Sequence, residues 1–262
     1  MTILGSIHVG NRNMYPFSRP IRSALEAADV LVFECDTQSD AALQLTAEKM
    51  RLPEGVYLES LVDAGCFKKL ERTAQKLGYA METLNTLHPW AVVSMLSVAS
   101  TADSMNASSR LGVENRVRST APIREEIWLE TTLEQLEMLN GMSPALQEYL
   151  LESACDEVLA GTENADTASW PQWWREGNAD AFASSYRAGM AEEKDAALAA
   201  EYHDQLITQR NIRMAKRLTE LLESDEKQNC FVTVGLMHLV LEEDSVLTEL
   251  EKQGYTVEKI IP

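Results

Sequence analysis

The sequence predicts an α/β (α+β) protein with a central mixed sheet, built from the N- and C-terminal thirds, and a large, mainly helical middle region. Two matching segments at opposite ends of the chain, Gly5-Ser6-Ile7-His8 and Gly235-Leu236-Met237-His238, each follow an apolar run. Between them, residues 41–111 and 144–222 carry apolar positions at helical spacing. We expect residues 1–262 to form a single domain in which these two helical regions flank the sheet.

Both matching segments predict a short buried strand that ends at a glycine. A glycine at that point lets the backbone turn sharply or approach a neighbour closely. The histidine then lies at the carboxyl edge of the strand, where open α/β sheets bind ligands. A lone histidine beside an apolar strand is more often a hydrogen-bonded core residue. The chain has only four histidines, however, so two of them in matching contexts, His8 and His238, favour a shared site.

Residues 30–36 predict the next strand, and its continuous apolar start indicates burial on both faces. Glu34 and Asp36 lie two positions apart and therefore share one face of that strand. A carboxylate at the end of a buried strand is costly unless it is paired or bound to a cation. Glu34 is therefore a candidate site residue, with a structural salt bridge as the simpler explanation.

Residues 127–130 predict a short strand that also ends on a carboxylate, Glu130. Thr131 and Glu134 form a capping-box pattern at the start of the following helix. That role accounts for Glu134, so Glu130 is the second candidate carboxylate.

A long helix over about residues 201–222 carries two polar residues, Arg210 and Asn211, inside its apolar stripe. The stripe is formed by Ile207, Met214, Leu218 and Leu221. A buried cation requires a buried partner. We therefore expect Arg210 to contact Glu34, Glu130 or a bound anion, either as a structural pair or as part of a site.

Two further segments have simple local patterns. His88 precedes a proline and is predicted to be a loop residue without a chemical role. Residues 255–260 alternate apolar and polar side chains, which predicts a closing strand.

Composition excludes several classes of partner. The chain has 23 Lys and Arg against 41 Asp and Glu, a net charge of -18, which repels phosphate backbones and anionic lipid surfaces. We therefore expect no nucleic-acid partner and no membrane partner. The four cysteines are widely spaced and predict reduced thiols. Without a signal-peptide pattern or an apolar run near ~20 residues, the sequence as written predicts a cytoplasmic protein.

Six motifs, in this order, resemble the TraB/PrgY/GumN family, which is related to the Tiki proteases. They are Gly5-Ser6-Ile7-His8-Val9-Gly10, the segment 27–36, Leu129-Glu130-Thr131 with Glu134-Gln135-Leu136, Trp174 with Gly177-Asn178, Arg210-Asn211, and Val234-Gly235-Leu236-Met237-His238-Leu239. The resemblance covers nearly the whole chain. It implies a fold similar to ChaN and erythromycin esterase, with paired GxxH motifs and a strand-end glutamate around one cleft.

The Tiki proteases are described as using Mn²⁺ or Co²⁺, so the resemblance implies a metal site here. We predict His8, Glu34 and His238 as its ligands. Imidazoles and carboxylates form a mixed N/O set suited to Mn²⁺, Co²⁺ or possibly Zn²⁺, with an open position for water. Such a metal lowers the pKa of its bound water toward ~7 and supplies a nucleophile at neutral pH.

The remaining candidates have catalytic roles in this hypothesis. Glu34 and Glu130 are predicted as catalytic carboxylates, the one that does not bind the metal serving as general base. Arg210 is predicted to stabilise the oxyanion, and Asn211 is predicted to be an additional hydrogen-bond donor.

The sequence thus predicts a metal-dependent, peptidase-like hydrolase acting on a peptide or small-molecule substrate. One alternative is a binding protein that sequesters a peptide, haem or another small ligand in the same cleft without turnover. Another is an esterase that uses a His/Glu pair without metal.

Overall fold

A computed structural model describes residues 1–121, 124–160, 165–191 and 195–260, and it confirms the α/β fold class. Within these ranges four strands form one sheet in the order β1-β4-β2-β3. The strands are β1 (Thr2–Ser6), β2 (Val30–Phe33), β3 (Glu125–Trp128) and β4 (Cys230–Gly235). Every pairing in this sheet is parallel, where we expected a mixed sheet, and β3 comes from the middle of the chain.

Helices account for most of the remaining described chain. In chain order they are α1 (Arg19–Ala27), α2 (Asp40–Lys49), α3 (Ala64–Leu77), α4 (Met81–Leu84), α5 (Pro89–Ser104), α6 (Val113–Thr120), α7 (Thr132–Asn140), α8 (Pro144–Ala160), α9 (Ala165–Glu176), α10 (Ala179–Ala191), α11 (Ala196–His203), α12 (Gln209–Glu223), α13 (Met237–Val240) and α14 (Val246–Lys252). A π-helical turn, Asp204–Thr208, joins α11 to α12. Short 3₁₀ turns occupy Arg12–Met14, Leu58–Ser60 and Ser109–Leu111.

The chain divides into two compact units. The first comprises Met1–Cys35, Met105–Thr131 and Ala165–Pro262, and it contains the whole sheet. The second comprises Asp36–Ser104 and Thr132–Asn164, and its described part is helical. The segments predicted to be helical, 41–111 and 144–222, contain most of the helices.

Both faces of the sheet are covered, as the continuous apolar run of β2 predicted. Leu31 and Phe33 belong to one buried cluster, whereas Val30 and Val32 belong to another, because successive strand residues point to opposite faces. Helix α12 packs on the second face through three fully buried residues: Met214, Ala215 and Leu218.

The second unit has its own buried core, whose members include Leu58, Leu70, Leu84, Leu96 and Leu151. Helix α3 begins at Asp63, whose Oδ1 accepts a hydrogen bond from the Cys66 backbone N at 2.8 Å. It ends at Gly78, which adopts φ +75°. His88 lies in a loop of this unit, as predicted, and its backbone N donates to the Met50 carbonyl at 2.9 Å.

Three strand predictions need correction. Strand β2 ends at Phe33 rather than at residue 36, so Glu34 and Asp36 follow the strand and do not share one of its faces. Residues 255–260 form no strand in the described chain, so the predicted closing strand is wrong. Tyr255 and Val257 are partly buried in alternation, but without a partner strand such alternation does not make a β-strand. Strand β3 lies two residues earlier than predicted, so Glu130 follows the strand rather than ending it. No helix within the described residues is long and apolar enough to cross a membrane.

Candidate functional site

The parallel sheet brings the two glycine-histidine segments together in the first unit. Gly5 pairs with Val234 in the register of β1 and β4, and the Leu236 backbone N donates to the Ser6 carbonyl at 2.9 Å. A Cβ on Gly5 would overlap the Leu236 side chain and lie 3.3 Å from its Cα. A side chain at this glycine would therefore require the Leu236 side chain to move and would crowd the Leu236 backbone.

The glycine of the second segment makes room for the site itself. A Cβ on Gly235 would lie 2.9 Å from Glu34 Oε1 and 3.4 Å from His238 Cδ2. The Gly235 backbone N donates a short hydrogen bond to Glu34 Oε1. This glycine is therefore required because a carboxylate and an imidazole both pack against its backbone.

Trp174 on α9 supports the first segment. Its Nε1 donates to the Gly5 carbonyl at 2.8 Å. The indole also lies against Tyr15 and Phe17, with ring centroids 6.4 and 6.1 Å away. This contact holds the end of β1 in place.

Glu34 and Glu130 are neighbours because the β2–β3 ladder continues past the strand ends. The Leu129 backbone N donates to Phe33 O at 3.0 Å, and the Glu130 backbone N donates to Glu34 O at 2.7 Å. Burial would raise the pKa of Glu34. The charge of Arg210, the charges that His238 and His8 carry at acid pH, and the Gly235 N–H lower this pKa to about 2. Glu34 is therefore ionised at neutral pH.

Arg210, in the first turn of α12, lies at the centre of the site. Its Nε and Nη2 donate to Glu130 Oε2 at 2.9 and 2.7 Å, and Nη2 also donates to Glu34 Oε2 at 2.6 Å. Its Nη1 donates to His238 Nε2 at 3.0 Å. Arg213 Nη2 holds the other oxygen of Glu130, Oε1, at 3.2 Å. The prediction that Arg210 contacts Glu34 or Glu130 is confirmed, since it contacts both.

The hydrogen bonds of His238 determine which ring nitrogen carries the proton. Because a guanidinium can only donate, His238 Nε2 accepts from Arg210, and Nδ1 carries the hydrogen. Nδ1 then donates to Asn211 Oδ1 at 2.7 Å. His238 is 5% exposed, and burial lowers its pKa to about 4, so the ring is neutral at pH 7.

His8 lies in the opposite electrostatic environment. Its Nδ1 pairs with Glu114 Oε1 at 2.9 Å, and Ser6 Oγ donates to the same oxygen at 2.7 Å. The hydrogen bond with Glu114 raises the pKa of His8 to about 9, so the ring is cationic at pH 7. The side chain is 77% exposed, which means that solvent screens this pair.

Sequence reasoning missed Glu114, which lies in the first turn of α6. The available signal was Gly112 followed by an apolar and an acidic residue, a common helix start. Gly112 is needed because a Cβ there would overlap the His8 carbonyl oxygen. The Val113 backbone N also donates to Ile7 O at 3.0 Å, so the start of α6 is attached to the first segment.

The predicted metal ligands are each engaged by other groups. Arg210 holds Glu34 Oε2 and His238 Nε2, and Glu114 holds His8 Nδ1. In the part of the chain that the structure describes, no group of three His, Cys, Asp or Glu side chains is placed to hold a metal ion. The donor types suit Mn²⁺ or Co²⁺, but this arrangement does not fit a metal while Arg210 keeps its contacts. The ligand set stays a prediction.

Asn211 makes hydrogen bonds within the chain, and its predicted role as an additional donor to substrate stays a prediction. Its Nδ2 donates to the Asp244 backbone O at 2.7 Å, and its Oδ1 accepts from His238. Both ends of the amide are thus used within the chain, so here Asn211 orients His238.

Fold and site together define an α/β protein with a buried cluster of ion pairs at the carboxyl edge of a parallel sheet. The profile of the TraB/PrgY/gumN family matches residues 1–259, and the chain belongs to this family. Searches among curated proteins and among solved structures returned no match.

Proposed function

We propose that this chain is a hydrolase acting on a peptide or a related small carbonyl substrate at the Arg210 cluster. The observation that carries the proposal is the hydrogen-bond inventory of Arg210. A guanidinium has five N–H groups, and Glu130, Glu34 and His238 take four of them. One Nη1–H has no partner among the described residues, and it can donate to a substrate oxygen as negative charge develops there.

The surrounding charges prepare Arg210 for that task. Burial lowers the pKa of Arg210, but Glu34 and Glu130 raise it above its usual range, so the guanidinium stays charged. Glu130 is 4% exposed and is bonded on both oxygens, which makes it a residue that orients Arg210. The donor therefore needs no reorganisation when substrate binds.

His8 supplies a proton donor at the solvent side of the site. Its ring is cationic at neutral pH, and Glu114 uses only Nδ1. The Nε2–H can therefore donate a proton to a leaving group. The proposed general base is a carboxylate, and we assign this role to Glu34, which is ionised.

Dependence on Mn²⁺, Co²⁺ or Zn²⁺ remains part of the proposal. Such an ion would have to displace Arg210 from Glu34 and His238, so we assign no step to it. Metal analysis of the purified protein, and activity with added metal or with chelator, would decide this point.

The direct experiment is a hydrolysis screen with peptides and esters, run on the wild type, Arg210→Lys and the control Arg213→Lys. Lysine keeps the charge but loses the fork of donors, so Arg210→Lys should lower turnover by about 10²-fold to 10³-fold. Arg213 contacts only the far oxygen of Glu130 and is half-exposed, so its variant should retain activity. Full activity in Arg210→Lys, or no hydrolysis under any condition, would contradict the proposal.

The second candidate is a binding protein without turnover. The observation that favours it is that most polar atoms of the Arg210 cluster form hydrogen bonds with one another, as in a rigid binding surface. Incubation with a peptide library, followed by mass spectrometry, separates the two functions: peptides retained without cleavage indicate binding alone. A Soret band on addition of haem would identify haem as the ligand.

A further inference from the structure

A second hydrogen-bond cluster in the first unit is centred on Asp244, which follows α13. We call Asp244, His203, Thr208 and Tyr186 the Asp244 cluster. Asp244 Oδ2 is 3.0 Å from His203 Nε2, and it accepts a short hydrogen bond from Thr208 Oγ1. His203 Nδ1 is 3.0 Å from the Tyr186 hydroxyl. Burial raises the pKa of Tyr186, so the hydroxyl keeps its proton and can donate it to Nδ1.

The π-helical turn makes this cluster possible. His203 and Thr208 are five residues apart, and in an α-helix they would point about 140° apart around the axis. Asp204–Thr208 instead form a π turn, in which the Gln209 backbone N donates to Asp204 O. This wider turn lets both side chains face Asp244. Single π turns inside α-helices often occur at functional sites.

Asp244 connects this cluster to the Arg210 site through its backbone. Its carbonyl accepts from Asn211 Nδ2 at 2.7 Å, which leaves Asn211 Oδ1 facing His238 Nδ1. With the amide reversed, its NH₂ group would face Nδ1 and favour the proton on Nε2. That N–H would then point at Arg210, which can only donate.

We propose that Asp244 is a positioning residue for His238. Held by His203 and Thr208, it fixes the Asn211 amide, which together with Arg210 keeps the His238 proton on Nδ1 and the Nε2 lone pair toward Arg210. Its importance for catalysis rests on the proposed hydrolase function. Its effect on the His238 tautomer does not, so the two can fail separately.

The test is the ¹⁵N NMR spectrum of the histidine rings, recorded at pH 7 on the labelled full chain. Variants His88→Asn and His238→Gln identify the signals of these two rings by their loss. The wild type should show His238 protonated on Nδ1 alone. In Asp244→Ala this pattern should change to a mixture of both tautomers, because the loop no longer holds the amide. Asp244→Asn should restore the wild-type pattern, since an amide oxygen can still accept from His203 and Thr208.

Glu243→Ala is the matched control, because Glu243 is the exposed neighbour of Asp244 on the same loop. It should leave the His238 signals unchanged. A folded Asp244→Ala variant with wild-type His238 signals would overturn the proposal. If Asp244→Ala fails to fold, Thr208→Val decides in the same way: a wild-type pattern overturns the proposal, and a mixture supports it. Absence of hydrolysis in the wild type, with the tautomer change still seen in Asp244→Ala, would count against the proposed function only.

Discussion

The two glycine-histidine segments share a sequence pattern but hold their histidines in opposite states. His8 is largely exposed, paired with a carboxylate and cationic at neutral pH. His238 is buried, bonded to a guanidinium and an amide, and neutral. Both segments follow neighbouring parallel strands, but His8 lies in a bend, whereas His238 lies in the short helix α13. The shared pattern therefore positions the backbone, while the neighbouring helices decide the charge.

The neighbours that make this difference come from distant parts of the chain. Glu114 on α6 faces the first histidine, whereas Arg210 and Asn211 on α12 face the second. Desolvation adds to the contrast because it opposes charge only where water is excluded. Together the two segments provide one exposed proton donor and one buried acceptor.

Removal of Arg210 should have the largest effect on stability, because Arg210 contacts His238 and both buried carboxylates. Arg210→Met leaves the carboxyl groups of Glu34 and Glu130 buried without their main partner. We expect the free energy of unfolding, measured by urea denaturation, to fall by about 3–5 kcal/mol. Arg213→Met is the control and should cost at most about 1 kcal/mol, because that side chain is half-exposed. Equal losses in the two variants would mean that Arg210 is no more important to the fold than a surface ion pair.

The pairing of Arg210 was predictable because a cation inside an apolar helical stripe must find a buried counter-charge. The burial of β2 on both faces was likewise predictable from four successive apolar residues. Glu114 was not predictable as the partner of His8, because the helix-start pattern at Gly112 does not indicate which distant residue the helix faces. The parallel direction of every strand pair was not predictable either. It depends on long crossover connections, and the order of strands and helices in the sequence does not give their course.

Substitution of the two glycines would test whether the segments are equivalent as backbone. In Gly235→Ala the added methyl meets the Glu34 carboxylate and the His238 ring, so both must shift. We expect a loss of about 1–3 kcal/mol in stability, with a larger relative loss of activity. In Gly5→Ala the methyl meets the Leu236 side chain, which can rotate. The relative loss of activity should therefore be smaller in Gly5→Ala than in Gly235→Ala. A larger loss of activity in Gly5→Ala than in Gly235→Ala would contradict the inference that Gly235, and not Gly5, makes room for the site residues.

The dependence of stability on pH should have opposite signs for the two histidines. His238 has a folded-state pKa below its unfolded value, so it takes up a proton on unfolding and stability falls as the pH drops below about 6.5. Between pH 7.5 and 5.5 this amounts to about 1 kcal/mol. His8 has a raised pKa, so its contribution is complete below about 6.5 and is lost as the pH rises through about 9.

Urea denaturation from pH 5.5 to 9.5 stays above the isoelectric point near 4.6 and covers both ranges. His238→Gln should reduce the acid slope alone, and His8→Gln should reduce the alkaline slope alone. Part of the alkaline slope should persist, because burial raises the pKa of the Cys66, Cys155 and Cys230 thiols. Burial also lowers the pKa of His88, so both variants are compared in a His88→Asn background. Unchanged slopes in either variant would show that the histidine concerned does not differ in protonation between the folded and unfolded states.

Trp174→Phe offers the smallest and most selective change, because it affects the first segment only. The substitution keeps an aromatic ring beside Tyr15 and Phe17 but removes the Nε1–H that donates to the Gly5 carbonyl. Loss of one such hydrogen bond should lower the free energy of unfolding by about 1 kcal/mol. The His8 ring signals should shift in the NMR spectrum, while those of His238 should stay in place, because Arg210 and Asn211 hold that ring independently. Equal shifts at both histidines would mean that β1 transmits the change to β4, and that the two segments respond as one unit rather than as two.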